Sequence, residues 1–406
     1  MKNRTLVLAS LISLWAAVPA HADIVADFYE TDVAAAKASE SGEYMFDPET
    51  AQSVSKLTLA MFEAANATDR RYASFLKIAA APKGASQAAA IATAAHDVML
   101  AMHPGQKDMI DNAYAAAMAP IAAGQAREDG IAVGHSAAKA ALGAGGMDAA
   151  LPAGAYRPNG APGQFVPVSI PFDPRSIQMR PWFLKSADEF RPGPPVALTS
   201  PQWAAAVNEV QKVGAKASSD RAAADTVGAR FWANYTLIPT LRQIADQPGR
   251  SVVANARMYA MIEMGGDDMG IAMVEAKLHY GFWRPLSAIR GAGDDGNAAT
   301  TPDISWVPLL RTPTQPEYPC GHCIYAGFVA AVMEGEGAPP AGGLHFNSDS
   351  MPGIAISVPD WASYAQTVSN SRIFGGVHFR TTNDISIPMG RRIGEMTRAR
   401  FAPPLK

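Results

Sequence analysis

Ten prolines crowd into residues 152–195, at 152, 158, 162, 167, 171, 174, 181, 192, 194 and 195, and they forbid a long helix there. The segment 151–199 therefore reads as an extended strap or linker, with Asn159-Gly160 as a turn signal. On either side the pattern reverses. Segments 53–65, 85–102, 107–119 and 126–142 are rich in alanine and carry helical periodicity, and they are broken at His103-Pro104-Gly105 and Gly143–Gly146. Helical patterns return at 201–217, 220–234, 251–263, 268–284, 320–334, 360–374 and 384–401. Strand signals are few and short, so the chain is expected to be all-α. Four parts follow: residues 1–22, an Ala-rich helical region 23–150, the strap or linker 151–199, and a C-terminal helical region 200–406.

The first part has the form of a secretory signal. Lys2 and Arg4 precede an apolar run from Leu6 to Val18, and Ala20-His21-Ala22 is a small-residue cleavage site before Asp23. The run is shorter than the roughly 20 residues a membrane anchor needs. A periplasmic or secreted chain is expected, with no membrane anchor once the signal is removed. Loss of Lys2 and Arg4 takes the net charge from −3 to −5. That balance, with no basic tract, argues against a nucleic-acid partner. A small-molecule substrate is expected, and the sequence is compatible with an oligomer.

Three segments near the C-terminal end place polar residues in apolar surroundings. In Glu275–Pro285, Lys277 and Arg284 sit among Tyr280, Phe282 and Trp283. Seven helical residues turn through about 700°, which puts the two cations on one side of a continuous helix. Buried cations need an anion. In Pro316–Cys323, Pro319 and small residues precede a helical pattern, and helix N-termini favour anions. Gly321 lets an anion approach the backbone, and His322 is placed to donate a proton. In Ser371–His378, Arg372 and His378 flank Gly375-Gly376, read as a flexible hinge. Arginine offers multidentate bonds to an oxyanion, and histidine offers a nucleophile or a ligand nitrogen.

Together these segments resemble the superfamily of type 2 phosphatidic acid phosphatases and vanadium-dependent haloperoxidases. Its signature is a Lys with Arg-Pro seven residues on, then Pro-Ser-Gly-His, then Ser-Arg with a His six residues after the Arg. The likeness reaches loosely over most of the chain and favours the bacterial haloperoxidase branch. It implies a helical bundle in which Lys277, Arg284, Cys320, Gly321 and Arg372 hold an oxyanion. It also implies His378 as axial ligand to vanadate, or as phosphorylated nucleophile, and His322 as general acid–base. Vanadate is then the cofactor of a haloperoxidase using hydrogen peroxide and halide, whereas a phosphatase needs none. A non-catalytic oxyanion-binding relic is the third reading.

The chain departs from the signature in three places. Cys320 stands for the usual Ser, and a thiol donates weakly. Thr382 stands where Asp usually orients the His, with Asp384 two residues on; Thr382 is expected to accept a bond from His378. Val274 replaces a frequent Trp. Cys320 and Cys323, the chain's two cysteines, are able to pair in an oxidising compartment, which would stiffen the anion cradle or switch it off. The methionines 258, 261, 264, 269 and 273 read as core filler, and Asp267-Asp268 as the start of the helix bearing Lys277. His96, His103, His135 and His345 have no partners at metal-ligand spacing, and His279 is expected to face away from the site.

Overall fold

The computed structural model describes residues 23–38, 48–146, 159–168 and 175–405, with side chains of 48–51 and 175 left aside. The expected signal and two parts of the strap, 151–158 and 169–174, lie outside the described residues, as do 39–47 and 147–150. The chain is mostly helical. Helices α1 (Ile24–Ala38), α2 (Pro48–Thr68), α3 (Gln87–Met102), α4 (Lys107–Met118) and α5 (Gln125–Gly143) precede the strap. After it come α6 (Pro201–Val213), α7 (Ala223–Phe231), α8 (Ile238–Ala245), α9 (Val252–Tyr280) and α10 (Pro285–Arg290). The series ends with α11 (Gly321–Glu334), α12 (Trp361–Phe374) and α13 (Arg380–Arg400). Strands β1 (Tyr235–Thr236), β2 (Leu344–Ser348) and β3 (Ala355–Val358) form a small antiparallel sheet in that order, with Tyr235 opposite Ser348 and Leu344 opposite Val358.

Local chemistry sets the helix starts. Side-chain oxygens of Ser86, Ser200, Ser251 and Asp360 cap α3, α6, α9 and α12. Asp23 Oδ1 accepts the N–H groups of Val25 and Ala26 at 3.0 Å, and its Oδ2 accepts a bond from Asn255 on α9. The alanines and glycines serve close helix contact. A Cβ on Gly130 or Gly134 of α5 would strike the backbone of α3, and one on Gly390 of α13 would lie 1.9 Å from the Ile324 carbonyl of α11.

The longest helix, α9, is at the centre. It is apolar around most of its circumference, and the methionines 258, 261, 264, 269 and 273 are all buried in the main core. One apolar core takes residues from Val25 to Ala402, so the Ala-rich third and the C-terminal half pack together. A second, aromatic cluster of Trp203, Phe282, Trp283, Trp306, Tyr318 and Phe379 lies beside the far end of α9.

Two expectations need correction here. Segments 251–263 and 268–284 are not two helices with a break between them. Gly265 lies within α9, where a Cβ would meet Phe328 and Thr397 at less than 3 Å, so its smallness serves packing. Asp267-Asp268 therefore starts no helix. Asp268 instead accepts the backbone N–H groups of Trp182, Phe183 and Leu184, which fastens the strap across mid-α9. Further along, Phe165 N–H bonds to Gly281 carbonyl, Tyr280 and Tyr318 hydroxyls bond to Pro192 and Gly193 carbonyls, and Arg191 pairs with Glu275. The described part of the strap thus wraps α9.

Asp267 gives a test of this packing. Burial pushes its carboxyl up to about 6, opposed by bonds from Ser55 and Trp182 and by Lys56. The folded state then binds more protons than the unfolded chain between the ordinary value of 3.8 and about 6. Its stabilising contribution is full at low pH and is lost as pH rises through that window. Both neighbours bond to Oδ2 alone, so Asp267→Asn keeps an oxygen for them. Urea unfolding should show the variant gaining on wild type from pH 4.5 to pH 7.5; an equal difference at both pH values would refute the assignment.

Candidate active site

Helix α9 ends at Gly281, whose left-handed backbone (φ 53°, ψ 35°) stops it one turn after Lys277. The chain then runs extended to Arg284, which precedes α10. The two cations therefore converge through a reversal of the chain, and the expected continuous helix to Arg284 is replaced by this turn. Lys277 Nζ donates to the carbonyls of Pro316 and Glu317 at 2.6 and 3.2 Å. Arg284 donates to the carbonyls of Gln315, Pro316 and Val377, and its Nη1 lies 3.0 Å from His378 Nε2. Arg372, in the last turn of α12, donates to the Ala229 carbonyl and the Ser371 hydroxyl. All three side chains are buried.

Their protons are correspondingly loosened. Burial, then the field of Arg284, holds Lys277 well below its ordinary value, against the pull of Glu317. Burial lowers both Arg284 and Arg372 to about 10; Glu317 opposes the shift at Arg284, and Tyr235 opposes it at Arg372. Burial and then Arg284 also hold His378 well below the usual imidazole range. His322, in the first turn of α11, faces the Ala233 carbonyl at 3.3 Å, and burial followed by Arg372 pushes it down to about 3. Arg284, Lys277, Arg372 and His322 all act electrostatically on His378, so the fold gathers these five side chains into one place.

Glu317, to which the three motifs assign no role, completes the set. It is fully buried, and its Oε1 lies 2.8 Å from His378 Nδ1 and accepts Phe379 N–H at 3.1 Å. Oε2 accepts the Thr382 hydroxyl at 2.8 Å. The expected bond from His378 to Thr382 is thus absent: Thr382 serves the carboxylate that serves the histidine. Asp384 is exposed on α13. A signal for Glu317 existed, since it is the single acidic residue between Asp303 and Glu334, beside three apparently buried cations.

In the second segment the pairing open to the two cysteines is made, and the expected oxyanion contact from Cys320 is not. Cys320 and Cys323 are joined in a disulfide, and Cys320 Sγ accepts Cys323 N–H at the start of α11. A disulfide sulfur has no hydrogen to donate, so Cys320 offers an oxyanion no side-chain donor. Its own N–H goes to the Ser386 hydroxyl. Gly321 has a packing reason to be glycine, because a Cβ there would lie 2.6 Å from Met273 Sδ. Gly375-Gly376 is a tightly packed turn in place of the expected hinge. Gly376 has φ 72°, and a Cβ on it would lie 2.4 Å from the Gly214 carbonyl. Val274 is buried in the main core, and His279 is exposed against the Tyr280 ring. His96, His103 and His135 pair with carboxylates and His345 with Ser357, and the described residues contain no cluster able to hold a metal ion.

Residues 257–403, which contain Lys277, Arg284, Glu317, Cys320, His322, Arg372 and His378, match the family model described as the VCPO second helical-bundle domain. Over 216 residues, 44% of this chain, the sequence is 27% identical to vanadium chloroperoxidase of Curvularia inaequalis. The matched stretch spans 34% of that relative's length. In fold the chain is similar to a bacterial vanadium-dependent iodoperoxidase, with a TM-score of 0.69 and 19% identity over 93% of this chain and 95% of the other. The holo form of a bacterial vanadium-dependent chloroperoxidase gives a TM-score of 0.67 and 18% identity over 89% and 94%. The helical architecture is that of the vanadium haloperoxidases.

The charge imbalance carries a prediction. Arg372 has no carboxylate partner among the described residues, so its burial costs stability unless an anion is present. Arg372→Met should leave the anion-free protein as stable as wild type or raise its unfolding temperature by roughly 2–4 °C. Orthovanadate at a hundredfold excess over Kd should stabilise wild type by about 2.7 kcal/mol and the variant by far less. A variant that is equally stabilised would show that Arg372 does not face the anion.

Proposed function

We propose that this protein is a vanadium-dependent haloperoxidase: it binds vanadate at Lys277, Arg284, Arg372 and His378 and oxidises halide with hydrogen peroxide. The observation that carries this reading is the unbalanced charge, three buried cations against one buried carboxylate around His378. These residues fit vanadate. An anion of that shape supplies the missing negative charge, and Nε2 is an imidazole nitrogen suited to a metal oxyanion. When bound, vanadate supplies the Lewis-acid centre that activates peroxide toward halide.

The chain's own residues do the rest. Lys277, Arg284 and Arg372 would stabilise negative charge on the bound oxyanion, and burial keeps water from screening them. The backbone N–H of Gly321, at the start of α11, is placed by the same reading to assist. His322 is the general acid–base. Its proton affinity in the anion-free protein is low, first because the ring is buried and then because Arg372, Arg284 and Lys277 face it. An anion offsets those charges, so the imidazole becomes a usable proton carrier once the site is filled.

The disulfide bears on this choice. Hypohalous acid attacks thiols, and with both cysteines paired the chain presents none, although Met273 remains beside Gly321. A disulfide also suits an oxidising compartment, which supports the reading of residues 1–22 as an export signal. Among the described residues no helix is long and apolar enough to cross a membrane.

The test is halogenation of a phenol indicator by the mature protein with peroxide and iodide, bromide or chloride, before and after incubation with orthovanadate. Activity should appear with vanadate, and His378→Ala and Arg372→Ala should each lower it by at least about 100-fold while leaving the circular dichroism unchanged. Hydrolysis of p-nitrophenyl phosphate, inhibited by vanadate, with no halogenation would shift the function to a phosphatase using His378 as nucleophile. A folded protein that binds no vanadate would leave the relic.

A further inference from the structure

The orienting carboxylate of this site has an unexpected origin. His378 Nε2 lies 3.0 Å from Arg284 Nη1, and a guanidinium nitrogen only donates. Nε2 must therefore be the bare nitrogen of a neutral ring, with the proton on Nδ1. That nitrogen points at Glu317 Oε1, 2.8 Å away. The carboxylate is itself fixed from two further directions, by Phe379 N–H on the same oxygen and by the Thr382 hydroxyl on the other. The start of helix α13 thus grips a carboxylate carried on the loop before α11, and the carboxylate grips the ring. Glu317 is anchored from its backbone side as well, since Phe282 carbonyl accepts Glu317 N–H and the Glu317 carbonyl accepts Lys277 Nζ.

We infer that Glu317, held by Thr382, is the positioning residue of the site: it keeps the His378 proton on Nδ1 and aims the bare Nε2 at the oxyanion. This deepens the proposed function and rests on it for the identity of the anion. Position 382 carries no charge, so the whole carboxylate contribution comes from the segment that also accepts the Lys277 and Arg284 bonds. Loss of an outer partner of this kind ordinarily costs a ligating histidine about 10- to 100-fold in affinity.

Two readouts separate this role from simple packing. The first is nitrogen-15 and proton NMR of the histidine rings in anion-free protein, with His378 assigned by its absence from His378→Gln. Wild type should show His378 protonated on Nδ1, with that proton far downfield, as a charge-assisted bond requires. Glu317→Gln keeps an acceptor oxygen, so the tautomer should persist while the proton moves upfield. In Glu317→Leu the Nδ1–H should lose its bond and become exchangeable. The second readout is orthovanadate binding by calorimetry, expected to weaken by at least about tenfold in Glu317→Leu. An Nδ1 proton that does not move in Glu317→Gln, or a wild-type His378 protonated on Nε2, overturns the inference whether or not Glu317→Leu folds. If wild type takes up no vanadate, the proposed function fails, and the NMR result still decides the positioning of His378.

Discussion

Burying Lys277, Arg284 and Arg372 around a neutral histidine is the constraint on which the remainder of the site depends. Each charge leaves water at a cost that only hydrogen bonds and opposite charge offset. The fold meets part of it with the carbonyls of Ala229, Gln315, Pro316, Glu317 and Val377 and with one carboxylate, Glu317. The surplus positive charge is the functional content: it makes the site a receptor for an anion. Burial first, and this surplus second, hold the imidazoles of His322 and His378 below the usual range.

Such a concentration of charge needs a stiff frame, and the architecture supplies one. Helix α9 carries Lys277 at the end of a core-buried rod, and Gly281 turns the chain so that Arg284 returns to the same point. Helices α11 and α13 approach to backbone contact through Gly327, Gly390 and Gly394, and Thr382 on α13 reaches Glu317 in the loop that leads into α11. The disulfide closes the first turn of α11, and the strap fastens to α9 at Asp268, Glu275 and Gly281.

Much of this was legible in the sequence because it depends on local pattern. Ala-rich periodicity located most helices within a few residues, and three short motifs gathered Lys277, Arg284, His322, Arg372 and His378. What escaped depends on tertiary contact. Gly265-Gly266 and Asp267-Asp268 look like a helix boundary, and only the presence of Phe328 and the strap makes them interior. The run from Lys277 to Arg284 has helical spacing, yet Gly281 ends the helix before Arg284. Thr382 looked like the partner of His378 because it is near in sequence, whereas the actual partner comes from 61 residues away. Helix α8 (Ile238–Ala245) is short, and its amphipathic pattern is hard to separate from a loop.

The most direct test of the account is the structure of the protein loaded with orthovanadate, by crystallography or by X-ray absorption at the vanadium edge. The account predicts vanadium bonded to the Nε2 of His378, with Lys277, Arg284 and Arg372 at hydrogen-bonding distance from its oxygens and Glu317 still on Nδ1. Vanadium bound elsewhere, or held with no nitrogen ligand from His378, would contradict it.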